Sequence, residues 1–209
     1  MKYVALTVIL LGSFAVLSFL ISSNAVEIIQ WDKSSFQKIN TPDGKITDTI
    51  MVELTKYGRE FVWISVIVLL SVLGKKDGRK TAVLLTIAFL ILIPLGTIIK
   101  NEIDRTRPSS DNLLIHADSD PSFPSGHAVI VSAGAAILLL RFNKGRQIVF
   151  SIILGAEALF VSYSRIYVGN HYPLDVVGGI LLGTGIACAV IASSRYLGPV
   201  FSFIDSMKK

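Results

Sequence analysis

Six apolar runs, parted by short charged or polar clusters, constrain this chain more than anything else in it. They lie at Tyr3–Ile21, Tyr57–Gly74, Thr81–Ile99, Gly126–Phe142, Ile148–Tyr167 and Leu174–Ser194. About 20 helical residues cross the roughly 30 Å of hydrocarbon in a bilayer, and four of the six runs come close to that. The second is short unless Tyr57, Arg59 and Glu60 belong to it, with their polar ends at the interface. The fourth is short as well. Charged residues make up only 17% of the chain against 52% hydrophobic ones, too few to cover a soluble domain of this length. The expected architecture is all-α: a polytopic membrane protein built as a six-transmembrane-helix bundle. No internal repeat or low-complexity linker divides it, so residues 1–209 read as one domain.

Orientation follows from the connections. KKDGRK (Lys75–Lys80) and RFNKGR (Arg141–Arg146) read as short basic loops, and the chain ends in Lys208-Lys209. Six crossings put both loops and both termini on one side, which the positive-inside tendency makes cytoplasmic. The same loops account for the net charge of +5 without nucleic-acid binding. The first run also resembles a secretory leader, with Lys2 before it and the small residues Ser23-Asn24-Ala25 after it. Its apolar stretch is longer than a usual leader core, and cleavage would leave the remaining topology unchanged. Ile46, Ile50, Met51, Leu54 and Tyr57 recur at helical spacing, which predicts an amphipathic helix on the outer interface after a turn at Pro42-Asp43-Gly44. The single cysteine, Cys188, has no partner and reads as a small buried hydrophobe.

Alternating topology brings three polar clusters to the outer face. Lys100 to Pro108 closes the third run, Pro124-Ser125-Gly126-His127 opens the fourth, and Ser164-Arg165 with His171 and Asp175 joins the fifth to the sixth. Each residue type has a task if the ligand is a phosphate. Lys100, Arg107 and Arg165 can neutralise phosphoryl oxygens, arginine through a planar fork and lysine as a point charge. Ser125-Gly126 opens a helix, so free backbone N–H groups and the positive dipole end face the same anion. His171 stands four residues before Asp175, with Pro173 at a first helical position between them. A carboxylate on one ring nitrogen fixes the tautomer and leaves the other free to attack phosphorus. His127, from another helix, is placed to protonate a leaving oxygen.

These motifs, KxxxxxxRP, PSGH and SRxxxxxHxxxD in that order, resemble the three-part signature of the type 2 phosphatidic acid phosphatase (PAP2) superfamily. The match occupies Lys100–Asp175 and fills every signature position. The resemblance implies a phosphohistidine on His171 supported by Asp175, and protonation of the leaving group by His127. Lys100, Arg107, Ser125, Gly126 and Arg165 would bind the phosphoryl group. It also implies no cofactor and no metal, in keeping with the lack of a His/Asp/Glu cluster spaced for a dinuclear site.

A site at bilayer level suits a phosphate whose lipid tail stays in the membrane. Compact length, an outward-facing site in the cell membrane and the surplus cation Arg105, available to a second phosphate, favour a polyprenyl diphosphate such as undecaprenyl diphosphate. Phosphatidic acid or phosphatidylglycerophosphate is the neighbouring substrate. A phosphotransferase needs the same phosphohistidine, so it stays open. Haloperoxidase chemistry shares these residues, but six spans and a lipid-level site argue against it.

Other polar residues have plainer readings. Lys100 taken alone would snorkel to the interface. Arg105, Asp104 and Glu102 would form surface pairs of little weight, and His116 lies outside the signature. Glu157, near the middle of the fifth run, is either a protonated or hydrogen-bonded helix contact or a group that handles substrate or protons. Gly179, Gly183, Gly185, Ala187 and Ala189 form a small-residue stripe for close helix packing.

Overall fold

The computed structural model describes residues 1–116 and 118–206, and the basic pair Lys208-Lys209 lies outside them. The chain runs α1 (Lys2–Ser22), α2 (Val26–Ile39), α3 (Lys45–Tyr57), α4 (Glu60–Val72), α5 (Lys76–Ile103), α6 (Gly126–Arg141), α7 (Gln147–Tyr167) and α8 (Pro173–Ser193). A turn of 3-10 helix (Ser194–Leu197) then leads into α9 (Gly198–Ser206). By length and composition α1, α5, α7 and the run that starts with α8 are apolar enough to cross a bilayer, whereas α4 and α6, of 13 and 16 residues, are apolar but shorter.

Large apolar side chains stay exposed along these helices, among them Phe19 on α1, Phe61 on α4, Leu90 on α5 and Phe160 on α7. In water such a girdle would drive association. In lipid it costs nothing, because every backbone group within a helix is already paired.

Helices α6 and α8 form the centre. Gly179 lies so close to α6 that a Cβ there would stand 2.8 Å from Ala128 Cβ and from the Ser125 carbonyl, and at Gly183 it would collide with the Val129 carbonyl. Gly185 meets Leu11 of α1 in the same way, so the small-residue stripe lets three helices touch. Gly134 of α6 makes room for the fully buried Trp63 ring of α4, which meets Phe89 of α5 edge-on. Phe14 of α1 stacks on Phe123, just before α6, with ring centroids 5.7 Å apart.

Three expectations need correction. Lys75–Lys80 is not a loop: α5 begins at Lys76, so most of the basic cluster forms its first turn. The second apolar run is not one helix from Tyr57, because α3 ends there and α4 starts at Glu60. A Cβ at Gly58 would run into Val161 of α7, so the chain turns at the residue that allows the close approach. The outer segment holds two helices, the expected one (α3) and α2 before it. Helix α2 buries Asp32 and Phe36, and Asn40 at its end donates to the Tyr167 carbonyl at 2.7 Å, which ties it to the end of α7.

Candidate active site

The C-terminal ends of α5 and α7 and the N-terminal ends of α6 and α8 meet at one end of the bundle, and every sequence-predicted site residue stands there. The α7–α8 connection is short and tight. Gly169 takes a φ of 91°, and the Arg165 carbonyl accepts from the amides of Asn170 and His171, both at 3.1 Å. That turn buries the His171 ring. On the far side the Ser125 amide donates to the Asp175 carbonyl at 3.0 Å, pinning the start of α6 to the start of α8.

The His171 Nε2 lies 3.2 Å from Arg107 Nη1. A guanidinium only donates, so Nε2 presents a lone pair and the ring proton of the neutral imidazole sits on Nδ1. Burial first, then the charges of Arg165, Arg107 and Lys100, hold the ring well below its usual pKa. Nδ1 faces Asp175 Oδ2 at 3.4 Å, longer than a hydrogen bond. Asp175 is occupied in two further ways. Its Oδ2 accepts from the Tyr172 amide at 2.8 Å, capping α8, and its Oδ1 accepts from Arg105 at 2.5 Å.

Arg105 overturns an expectation. It is neither a surface pair nor a cation free for a second phosphate. Its guanidinium is buried, stacked 4.4 Å over the Tyr172 ring, and donates to both Asp175 and Asp32 at 2.5 Å. Asp32 in turn accepts from the Leu174 amide at 2.9 Å. The sequence reading missed Asp32; the amphipathic spacing of Val26–Ile39, with one acid on its apolar side, was the available signal.

The three expected cations converge. Lys100 does not snorkel: its ammonium is drawn inward to Asp120 Oδ2 at 2.5 Å and the Pro121 carbonyl at 2.9 Å. Arg107 donates to Asp120 Oδ1 at 2.7 Å, and Arg165 to Asp118 Oδ2 at 2.8 Å. Two carboxylates of the α5–α6 connection thus stand on the cations, in the place where the oxygens of a tetrahedral anion would bind. Partial burial opposes the Asp120 charge, but Lys100 and Arg107 outweigh it and hold its carboxyl at about 2. Around this cradle Ser125 Oγ, Arg165 Nε and His171 Nδ1 are buried with no hydrogen-bond partner among the described residues. Buried polar atoms without a partner are uncommon, and these three lie beside the cations.

His127 stands on the opposite side of the cradle. Its Nε2 donates to the Thr55 carbonyl at 3.1 Å, so Nδ1 is the nitrogen left to work. Arg59 Nη1 lies 3.4 Å from that Nδ1. Arg59 also was missed as a site residue, because it reads as the polar end of an apolar run. A cavity of about 810 Å³ opens from this point, bounded by Lys100, His127 and His171 at one end and by Ile64, Phe89 and Ile93 of α4 and α5 at the other. It is polar where the cations are and apolar where it runs between the helices.

Comparison with known proteins shows the family. Residues 79–199 match the sequence profile of the PAP2 superfamily. An undecaprenyl-diphosphatase of Sulfolobus acidocaldarius is 42% identical over 184 residues, covering 86% of each chain. Phosphatidylglycerophosphatase B of Bacillus subtilis is 34% identical over 64% of this chain and 68% of its own. Among solved structures, the transmembrane PAP2-type phosphatidylglycerolphosphate phosphatase of Bacillus subtilis superposes with a TM-score of 0.74 at 27% identity, over 91% of this chain and 96% of that one. With its three motifs gathered into one cradle at one end of an all-helical membrane bundle, the chain belongs to the PAP2 superfamily of phosphatases.

Proposed function

We propose that this protein hydrolyses a polyprenyl diphosphate, of the undecaprenyl diphosphate kind, to the monophosphate through a phosphohistidine. The observation that carries the reading is the pairing of an unprotonated His171 Nε2, set among Lys100, Arg107 and Arg165, with a cavity that His171 and Lys100 line at one end and apolar side chains of α4 and α5 line at the other. The head group would lie in the cradle and the tail between α4 and α5.

In the first step the Nε2 lone pair attacks the terminal phosphorus. The N–P bond forms as the bond to the bridging oxygen breaks, and His127, which takes up a proton on Nδ1 as the anionic substrate binds, passes it to the departing lipid monophosphate. The three cations hold the equatorial oxygens, and the free amides at the start of α6 add donors. In the second step His127 takes a proton from water, the hydroxide attacks phosphorus, and inorganic phosphate leaves as the N–P bond breaks. Asp175 faces the Nδ1 proton throughout and steadies the imidazole as it gains charge. Metal ions have no part in this scheme.

The Sulfolobus relative, at 42% identity, supports the diphosphate. The opposite end of the bundle carries Lys75, Lys76, Arg79, Arg141 and Arg146 near its helix ends. That asymmetry supports a cytoplasmic placement for it, with an N-in, C-in topology and the active site on the extracytoplasmic face of the cell membrane.

A second reading, phosphatidylglycerophosphate or phosphatidic acid as substrate, is favoured by the likeness to the Bacillus phosphatase structure. A panel of polyprenyl diphosphate, phosphatidic acid and phosphatidylglycerophosphate, compared by kcat/KM on purified protein, decides between them. The diphosphate is expected to lead, and a lead for either monoester reverses the assignment. Acid-quenched enzyme should carry label from substrate phosphorylated with ³²P, and offered lipid or sugar hydroxyls should capture none of it.

A further inference from the structure

A diphosphate brings two phosphates to the site, and the cradle of Lys100, Arg107 and Arg165 accounts for the one that is transferred. The other stays on the lipid, gains charge as the bridging bond breaks, and lies toward the tail. Arg105, the obvious cation for it by sequence, is locked between Asp32 and Asp175. Arg59 is differently placed. It lines the cavity at the start of α4, on the side of the leaving oxygen, with its Nη1 3.4 Å from His127 Nδ1. The same nitrogen is 3.6 Å from where a Cβ on Gly126 would be, so the guanidinium overhangs the start of α6. Its remaining donors rest on Glu60, whose side chain is half exposed. An ion pair open to solvent is weak, and a phosphate can displace it.

Resting on the reading above, we infer that Arg59 is a specificity-determining residue that binds the phosphate retained on the lipid. It sits where the cradle gives way to the tail cavity, touching the imidazole that protonates the leaving oxygen. That position pairs a cation with a phosphate that stays anionic after its leaving oxygen is protonated, and a lipid monoester, which leaves as an uncharged alcohol, has less need of it.

The test compares Arg59→Gln and Arg59→Lys with wild type by two readouts: kcat/KM on polyprenyl diphosphate, and competitive inhibition by inorganic phosphate, which needs only the cradle. For Arg59→Gln the first is expected to fall by about tenfold or more, in line with the loss of one charge-assisted hydrogen bond, while the inhibition constant for phosphate stays within about twofold. Arg59→Lys keeps the charge and should recover part of the loss, which a folding defect would not. A parallel weakening of phosphate inhibition would place Arg59 in the cradle and overturn the inference, as would an unchanged kcat/KM. Wild-type protein that leaves the diphosphate intact while cleaving phosphatidic acid would instead overturn the functional reading, and the assignment of Arg59 with it.

Discussion

Arg105 donates to Asp175 across 70 residues of chain, at 2.5 Å, and both groups are buried. The residue that faces the His171 imidazole is therefore itself held, and the same guanidinium anchors Asp32 of α2. A surface helix is bolted through one side chain to the end of the bundle that holds the candidate site.

Removing that side chain leaves two buried carboxylates without their shared cation. Such a loss typically costs about 3–5 kcal/mol. Arg105→Met should lower the stability of the detergent-solubilised protein by that order and reduce kcat as Asp175 loses its position. Thermal unfolding and turnover measured on the same preparation check both, and wild-type stability in this variant would mean the pairing is dispensable.

Asp120 gives a pH dependence. Its carboxyl is held at about 2, below the usual 3.8, so its folded form prefers the charge. The stabilisation it provides is complete above the unfolded value and is lost as pH falls from about 4 toward 2. The difference in melting temperature between wild type and Asp120→Asn should narrow through that window. The side chain is half exposed, so the effect is modest. With the competing anion removed, KM for the lipid substrate should drop by about two- to fivefold.

The two histidines should behave as a unit. His171→Ala and His127→Ala each abolish phosphate release while the fold persists, and the double variant loses little more than either one. Turnover should continue undiminished in chelator; a strict requirement for magnesium would contradict the scheme. Additive losses in the double variant would mean that the two rings serve separate steps of separate reactions.

Glu157 should prove structural. Both carboxyl oxygens are buried without a partner among the described residues, and Oε1 lies 3.1 Å from where a Cβ on Gly58 would be, at the α3–α4 break. It is not among the residues that bound the cavity. Glu157→Gln keeps the shape and should leave kcat near wild type, and a collapse of turnover in folded protein would assign it to proton handling.

Much of this was legible in the sequence because it follows from one-dimensional rules. Runs of apolar residues must become helices in lipid, alternation of those helices decides which clusters share an end, and a Pro-Ser-Gly-His stretch before an apolar run opens a helix toward that end. Lys100, Arg107, Ser125, Gly126, His127, Arg165, His171 and Asp175 come together for those reasons. Which side chain pairs with which is a different matter. Asp32 and Arg105 are 73 residues apart, and Arg59 and His127 are 68 apart. Their contacts follow from how the helices mesh and rotate in three dimensions. Arg105 turned inward to two buried acids rather than outward to substrate, and Asp118 and Asp120 folded back onto the cations, since an unpaired charge at a dry helix end is costly and the nearest counter-charge in space satisfies it. Local sequence carries no record of that distance; packing decides it.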